Sequence, residues 1–262
     1  FDLLGDHLRG TREIALDLYR RSEKVLEACA RLVSHMIRWA LDGTTPETPP
    51  CLFWPLHKGD DAHMSLDQFQ TFYWPTLRAV ALALIDQGFI PVFFAEGKMD
   101  SRLELIAGDL PKGKTVWLLD RTDMERAKAT LGQVAALQGN VPLSLLTTGT
   151  PDQVREYCRR LIEVAAPGGG FLLDSGAVIY EAKEANVRAL IQAAVQYAAD
   201  QGAAAVEAYP VAAWGDKTGP GDAYTGMAST FQSLGFREVG IGGRSRGQPR
   251  LVMRYDLRPP GQ

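Results

Sequence analysis

The sequence has few cysteines, no long apolar run and no excess of charge of one sign. Its three cysteines, Cys29, Cys51 and Cys158, are scattered and form no Cys-x-x-Cys pair. We therefore expect neither a disulfide framework nor a cysteine zinc cage. The apolar runs are well short of the roughly 18 residues that a membrane-spanning helix needs. The net charge is only −3, so membrane and nucleic-acid partners are set aside.

The N-terminal residues lack the pattern of a secretory signal peptide, so we expect a cytoplasmic location. The first residue is Phe1 rather than Met, which suggests a fragment. The composition is otherwise that of a globular protein, with 46% hydrophobic and 23% charged residues among 262. This length suits one large domain or two small ones.

Three helix starts are predicted by capping boxes, in which a Ser or Thr stands three residues before a Glu or Gln. The boxes begin at Ser65, Thr122 and Thr150. Short apolar runs typical of strands alternate with the helices, at 51–56, 89–95, 115–120, 134–139 and 170–175. Because these runs are apolar throughout, they predict a parallel sheet covered by helices and built from βαβ units.

Each of these five strands is followed by polar residues. Parallel α/β folds place their chemistry beyond the carboxyl ends of the strands. Five polar endings in succession therefore favour a polar pocket over ordinary loop solvation. The residues at these ends are His57 and Lys58, Glu96, Asp120 and Arg121, Asn140, and Asp174.

Glu96, His57 and Asp120 are the candidate catalytic residues. Glu96 can act as a general base or as an anchor for a cationic substrate group, and a loop ion pair with Lys98 or Arg102 is an equal alternative. His57 is a plausible acid or base, although a structural role explains it about as well. Asp120 is preferred over the nearby carboxylate that begins the next helix.

The candidate substrate-binding residues are Asp174, Arg102, Lys58 and Asn140. Asn140 lies in a Gly-Asn-Val-Pro segment that also suits a tight turn. The other histidines, His7, His35 and His63, have no surrounding constellation and receive no role. No metal ligand is assigned.

Four segments carry a family resemblance, in matching order and spacing: "FDLLGDHLRGTRE", "MSLDQFQTFYWPTLRAVALALIDQGFIPVFFAEG", "LQGNVPLSLL" and "GGGFLLDSGAVIYEAKEANVRAL". Over residues 1 to about 188 the sequence resembles the uroporphyrinogen decarboxylase family, which includes the cobalamin-dependent methyltransferases. The resemblance implies part of a (β/α)8 TIM barrel, with strands four to eight and the active site at the C-terminal mouth.

The functional residues of that family are replaced here. The decarboxylases have a Tyr in the segment where Asp6 falls and a His where Ala177 stands, so porphyrinogen decarboxylation is not expected. In this sequence, Phe94, Glu96 and Ala177 stand at the three positions that supply the zinc ligands in the zinc methyltransferases. One oxygen ligand cannot hold a thiophilic zinc, so we expect no zinc. No cofactor is certain, and the resemblance leaves a corrinoid, or a corrinoid protein as partner, open.

From about residue 189, three segments resemble the C-terminal half of a GNAT acetyltransferase: "ALIQAAVQYAADQGAAAVEAYPV", "AYTGMASTFQSLGFREVG" and "PRLVMRYDL". They predict a helix, a strand at 204–211, a helix near 223–234 and a strand at 250–257. The family's pyrophosphate-binding loop is absent, and Phe231 stands at the place of its Tyr. Acyl transfer is therefore disfavoured.

The sequence thus predicts an α/β protein with a barrel portion at 1–188 and a small α+β portion at 189–262. The junction should lie between Asn186 and Gly202 inside one helix, with the first proteolytic cuts between Pro210 and Gly221. The leading hypothesis is an enzyme, a lyase (decarboxylase) or a methyltransferase, acting without zinc on a small molecule or a corrinoid-linked substrate. A non-catalytic fragment or fusion product is the alternative, and an oligomer is left open.

Overall fold

The computed structural model describes residues 1–46, 48–212, 226–245 and 248–257. The chain forms two compact units. The first contains residues 1–140 and 161–177, and the second contains residues 141–160 and 178–262. Every residue predicted for the site belongs to the first unit.

Helices and strands alternate along most of the described chain. The helices are α1 (Thr11–Arg20), α2 (Ser22–Leu41), α3 (Leu66–Gln68), α4 (Trp74–Asp86), α5 (Leu103–Asp109), α6 (Met124–Ala129), α7 (Leu143–Thr148), α8 (Pro151–Ala165), α9 (Glu184–Asp200) and α10 (Ala228–Gln232). The strands are β1 (Cys51–Leu56), β2 (Ile90–Ala95), β3 (Val116–Leu119), β4 (Ala136–Val141), β5 (Phe171–Ser175), β6 (Ala205–Ala208), β7 (Arg237–Ser245) and β8 (Gln248–Asp256). Among the described helices, none is both long and apolar enough to cross a bilayer.

The first unit is built on a five-stranded sheet in the order β1-β2-β3-β4-β5. Its strands pair in parallel, with Phe53 opposite Val92 and Val92 opposite Val116. Each strand lies beside its sequence neighbour, which is the arrangement of consecutive βαβ units in a barrel. The parallel α/β prediction is confirmed, and the sheet is consistent with part of a TIM barrel.

The core of this unit comes from residues on both faces of the strands and from the helices that cover them. Phe93 and Trp117 are fully buried, and their ring centroids lie 4.8 Å apart. They share one face of the sheet because paired residues of parallel strands point the same way. Helix α4 adds the fully buried Leu84 and Ala81, which explains its strongly apolar sequence.

One predicted strand was misplaced. The run 134–139 was expected to be a strand, but β4 covers Ala136–Val141. Val134 is instead part of a tight turn, and its N–H donates to the carbonyl of Leu131. Asn140 therefore lies inside the end of a strand rather than in a turn after it, and the turn interpretation of Asn140 is wrong.

Two of the three predicted capping boxes are present. Gln68 N–H donates to Ser65 Oγ at 3.2 Å, and Ser65 N–H donates to Gln68 Oε1 at 3.1 Å. The box at Thr150 has the same pair of bonds with Gln153.

The third box, at Thr122, is wrong. Asp123 caps α6 by accepting the N–H of Arg126 at 3.0 Å. The hydroxyl of Thr122 accepts the N–H of Met99 at 3.0 Å instead, because the preceding loop lies against it.

The second unit contains an antiparallel sheet in the order β6-β8-β7. Phe236, Leu251 and Met253 form its buried cluster, and Ile191 and Val195 of α9 pack against it. The predicted order of strand, helix and strand is present in the tail. Strand β6 is shorter than expected, and strand β7 lies between helix α10 and strand β8.

Helix α9 is continuous across the predicted junction. It runs from Glu184 to Asp200, so the expectation of one helix between Asn186 and Gly202 agrees with the structure. The domain boundary at 188/189 itself stays a prediction. The predicted cleavage loop falls largely in residues 213–225, outside the described residues.

Candidate active site

The residues after β1 are held by a carboxylate from the start of the chain. Asp2 accepts the backbone N–H groups of His57 at 2.9 Å and Lys58 at 3.2 Å. It also accepts the hydroxyl of Tyr73 at 2.6 Å. Burial, followed by the charge of Asp2, raises the pKa of Tyr73 well above its usual value, so Tyr73 remains a donor. Asp2 thus fixes the backbone that carries His57, and Tyr73 holds Asp2 in place.

Asp6 anchors the side chains of the same two residues. His57 Nδ1 lies 2.6 Å from Asp6 Oδ2, and Lys58 Nζ donates to Asp6 Oδ1. Burial alone would raise the pKa of Asp6, but the hydrogen bonds from Lys58 and His57 outweigh it and lower this pKa. An ionised carboxylate can only accept, so Nδ1 carries the hydrogen. The Nε2 atom of His57 is then left as the chemically available nitrogen.

Glu96 follows β2 and faces that nitrogen. Its Oε1 lies 4.0 Å from His57 Nε2, a separation too long for a direct hydrogen bond but suited to a bridging atom of a substrate or water. Burial raises the pKa of Glu96, the charge of His57 lowers it, and the charge of Asp120 raises it again, with a net increase.

The loop ion pairs considered for Glu96 are wrong. Lys98 Nζ lies 2.8 Å from Asp100 Oδ2, and Arg102 pairs with Asp61. Both cations are therefore used by other carboxylates, and Glu96 is directed to His57 instead.

Asp120 holds the loop that carries Glu96. Its Oδ2 accepts the N–H of Gly97 at 3.0 Å. Gly97 has φ +80°, and a Cβ there would collide with the side chain of Asp60. Only glycine suits this position, since both the backbone conformation and the space exclude a side chain. Asp120 thus positions the loop that carries Glu96, and its negative charge also raises the pKa of Glu96.

Asp174 is the last residue but one of β5 and lies in a less open environment. Gln138 Nε2 donates to it at 2.6 Å, and Ser175 N–H donates at 2.7 Å. Burial raises the pKa of Asp174, and these bonds offset only part of the effect. Glu96, Asp120 and Asp174 all stand at the carboxyl ends of their strands, and their clustering at one rim stays a prediction.

Arg102 and Asn140 make contacts inside the protein. Asn140 Nδ2 donates to the carbonyl of Thr122 at 2.7 Å, linking β4 to the loop after β3. Arg102 is 2% exposed, and all five of its N–H positions are used. Their acceptors are the carbonyls of Gly59, Asp60 and Met64, the carboxylate of Asp61 and the hydroxyl of Ser101.

These contacts favour a role for Arg102 in holding the loop 59–64. Its guanidinium also lies over the ring of Phe69, 5.3 Å from the centroid. The substrate-binding roles given to Arg102, Asn140, Lys58 and Asp174 stay predictions, as do the catalytic roles of Glu96, His57 and Asp120.

Several site residues could not be identified from sequence patterns. Asp2 and Tyr73 lie in segments that carry the family resemblance but received no role, and Asp6 was noticed only as a replacement for a family Tyr. His7 and His35 were left without a role, yet with His57 they line one cavity. Sequence separations of more than 50 residues leave no local signal for these contacts.

A family model described as "Uroporphyrinogen decarboxylase (URO-D)" matches residues 4–197. The match covers well over half of the sequence, and the chain belongs to this family. The matched range also extends past the predicted domain boundary at 188.

Among solved structures, a methyltransferase from Methanosarcina mazei matches with a TM-score of 0.61 and 17% sequence identity. The match covers 75% of this chain and 56% of that chain, so this chain spans about half of that protein's length. At this identity the likeness shows the fold alone. No curated protein matches, and the likeness of residues 189–262 to a GNAT acetyltransferase stays a prediction.

The residues at the mouth do not suit a zinc ion. The donors beside Glu96 are one imidazole, bound through Nδ1 to Asp6, and carboxylates, whereas typical structural and catalytic zinc sites include at least two His or Cys ligands. Phe94 is buried within β2 and offers no donor atom. Within the described ranges, no three His, Cys, Asp or Glu side chains are arranged to hold a metal. No step is therefore assigned to zinc.

Proposed function

We propose that this chain is an enzyme of the uroporphyrinogen decarboxylase family that transfers protons between a small substrate and the pair His57 and Glu96. The reaction best suited to this pair is decarboxylase-like and needs no zinc. The proposal depends on one observation, the 4.0 Å gap between His57 Nε2 and Glu96 Oε1.

The chemistry follows from the two groups. In a decarboxylation, the bond from carbon to the carboxylate breaks, carbon dioxide leaves, and the electron pair stays on the carbon. A general acid must then supply a proton to that carbon. Burial raises the pKa of Glu96, a shift toward the protonated form that a general acid needs. Glu96 gives its proton to the carbon and becomes a carboxylate. His57 Nε2, oriented by Asp6, then takes a proton from solvent and passes it to Glu96, so that each turnover consumes one proton.

Asp6 and Asp2 act as positioning residues in this scheme. Asp6 fixes the tautomer and the ring orientation of His57, and Asp2 fixes its backbone. Such support for a proton-transferring histidine keeps its reactive nitrogen aimed at one place. The substrate carbon would then lie between Nε2 and the Glu96 carboxyl.

A methyltransferase-like reaction is the second candidate. The same Nε2 atom could remove the proton of an accepting thiol, with a corrinoid or corrinoid protein as the methyl donor. The family membership supports this candidate at the level of the superfamily. Zinc analysis separates it from the zinc-dependent members, since we expect well under one equivalent in the purified protein.

The test is a screen of small carboxylic acids in deuterated water, with carbon dioxide release and deuterium at the product carbon as the two readouts. We expect both signals from the natural chain, and a loss of at least 100-fold in His57→Gln and Glu96→Gln. Glu104→Gln is the control, because Glu104 pairs with Arg126 at the surface. Turnover that survives in both site variants would contradict the proposal.

A further inference from the structure

A cavity of about 370 Å³ opens beside His57. This volume lies within the range of small-molecule sites. Its walls come from the N-terminal segment, the end of α2, and β1. His57 belongs both to this cavity and to the proposed proton-transfer pair, so a ligand here would reach the reactive nitrogen.

One wall of the cavity is aromatic. Trp39, Phe53 and Trp54 line it, and Trp39 and Trp54 pack edge to face with centroids 6.3 Å apart. Trp39 is 66% exposed and Phe53 is 51% exposed. Large aromatic surfaces that face a cavity can bind apolar groups, and the faces of their rings also attract cations.

The other wall is acidic. Asp2 and Asp6 line it, and Lys58 pairs with Asp6. The hydrogen bonds that Asp2 accepts come from uncharged donors, namely two backbone N–H groups and the hydroxyl of Tyr73. Its negative charge is therefore not offset within this network, and the wall favours a positively charged ligand.

We propose that this cavity binds an organic cation, a quaternary or protonated amine, beside His57. Aromatic faces are a recognised binding environment for such ions, and a nearby carboxylate adds Coulombic attraction for a positive charge. A bare metal ion suits the site less well, because the described residues provide no three-donor group for one. His7 and His35 also line the cavity, and their ring nitrogens can hydrogen-bond a hydroxyl on the ligand.

This inference rests on the proposed function only in making the cation a substrate group, and its test measures binding alone. The probes are choline and its uncharged isostere 3,3-dimethylbutan-1-ol, titrated separately by calorimetry. Charge is the main difference between them. We expect choline to bind at least about tenfold more tightly than the isostere.

Variants of Trp39 test whether choline binds at the aromatic wall. Trp39→Leu should weaken choline binding about tenfold and Trp39→Phe by less, because phenylalanine keeps a weaker cation–π face. Trp39 is largely exposed, so neither change should unfold the protein. Tyr19→Leu is the matched control, since Tyr19 is an 80% exposed aromatic on α1, and it should change binding less than twofold.

Equal affinity for choline and its isostere, no detectable binding of choline, or unchanged binding in Trp39→Leu would each overturn the inference. If choline binds as expected but no small acid is decarboxylated, the cation site stands and the proposed reaction fails. If decarboxylation occurs without selective choline binding, the reaction stands and the cation site fails.

Discussion

His57 Nδ1 lies 2.6 Å from Asp6 Oδ2, although 51 residues separate the two in sequence. The same carboxylate also binds Lys58. This contact joins the N-terminal segment to the end of β1 and leaves His57 Nε2 facing Glu96. The orientation of the candidate acid–base pair thus depends on Asp6.

Asp6→Asn should destabilise the protein at neutral pH and shift the tautomer of His57. The pKa of Asp6 is lowered in the folded state, so its stabilising effect is present above the unfolded pKa and is lost as pH falls through the folded pKa. We expect a loss of about 2–3 kcal/mol at pH 7, because Lys58 is left buried without its partner. The difference from the natural chain should shrink in strong acid.

Urea unfolding at pH 7 and pH 3, together with nitrogen NMR of the His57 ring, measures both effects. Asp152→Asn is the control, since Asp152 pairs with Arg155 at the surface. A natural-like tautomer and stability in Asp6→Asn would show that the network does not orient His57.

Glu96→Gln should have the opposite effect on stability. The pKa of Glu96 is raised in the fold, so its stabilising contribution is present below the unfolded pKa and is lost as pH rises through the folded pKa. Above the folded pKa, the ionised side chain therefore opposes folding. Removing it should raise stability by less than about 1 kcal/mol, a figure reduced for solvent screening of a partly exposed group, while activity is lost.

The change in stability of Glu104→Gln should have the opposite sign to that of Glu96→Gln. Its hydrogen bond from Arg126 lowers its pKa, so Glu104→Gln should slightly lower stability at pH 7 and leave activity intact. Thermal unfolding of both variants across pH 4–8 checks the pair. If Glu96→Gln is less stable than the natural chain at pH 7, the fold lowers the pKa of Glu96 and the direction given above is wrong.

Arg102→Lys should loosen the loop 59–64 that follows β1. A lysine ammonium has three donors and cannot replace the five N–H contacts of the guanidinium. We expect a loss of about 3 kcal/mol or more, because carbonyl and carboxylate acceptors are left unpaired in a buried place. Urea unfolding measures the loss, and hydrogen exchange of loop 59–64 shows where it occurs.

Arg121→Lys is the control for this prediction, since the Arg121 side chain is 71% exposed. It should lose less than about 0.5 kcal/mol. A similar small loss in Arg102→Lys would mean that the loop does not depend on the guanidinium.

Asn186→Asp should destabilise the second unit more than Asn186→Ala. Asn186 is fully buried and donates through Nδ2 to the carbonyls of Leu145, Leu146 and Gly149. An aspartate would face three acceptors with a buried negative charge, which costs more than the lost bonds alone. We expect about 1–3 kcal/mol for alanine and more for aspartate.

Chemical unfolding followed by circular dichroism compares the two variants with Gln196→Ala, which changes an exposed side chain on the same helix. Equal stability of Asn186→Asp and Asn186→Ala would indicate that the carbonyls do not converge on this side chain.

Local patterns were enough to predict the parallel sheet and the rim that bears the polar residues. The strand at 51–56 and the Ser65 and Thr150 capping boxes depend on neighbouring residues only, because apolar runs and caps act within one turn or strand. The predicted edge for Glu96, Asp120 and Asp174 follows from the parallel direction of the strands. These features could be derived without knowing which distant segments meet.

The partners of the site residues were decided only by the tertiary structure. The sequence left a chemical role for Glu96 and a loop ion pair with Lys98 or Arg102 as equal alternatives. Folding assigns those two cations to Asp100 and Asp61 and turns Glu96 toward His57. Asp2 and Asp6 reach the site because the N-terminal segment packs at the end of β1, and Tyr73 reaches Asp2 from the turn before α4. Such contacts depend on chain closure over dozens of residues and on the burial of competing charges, which no local pattern records.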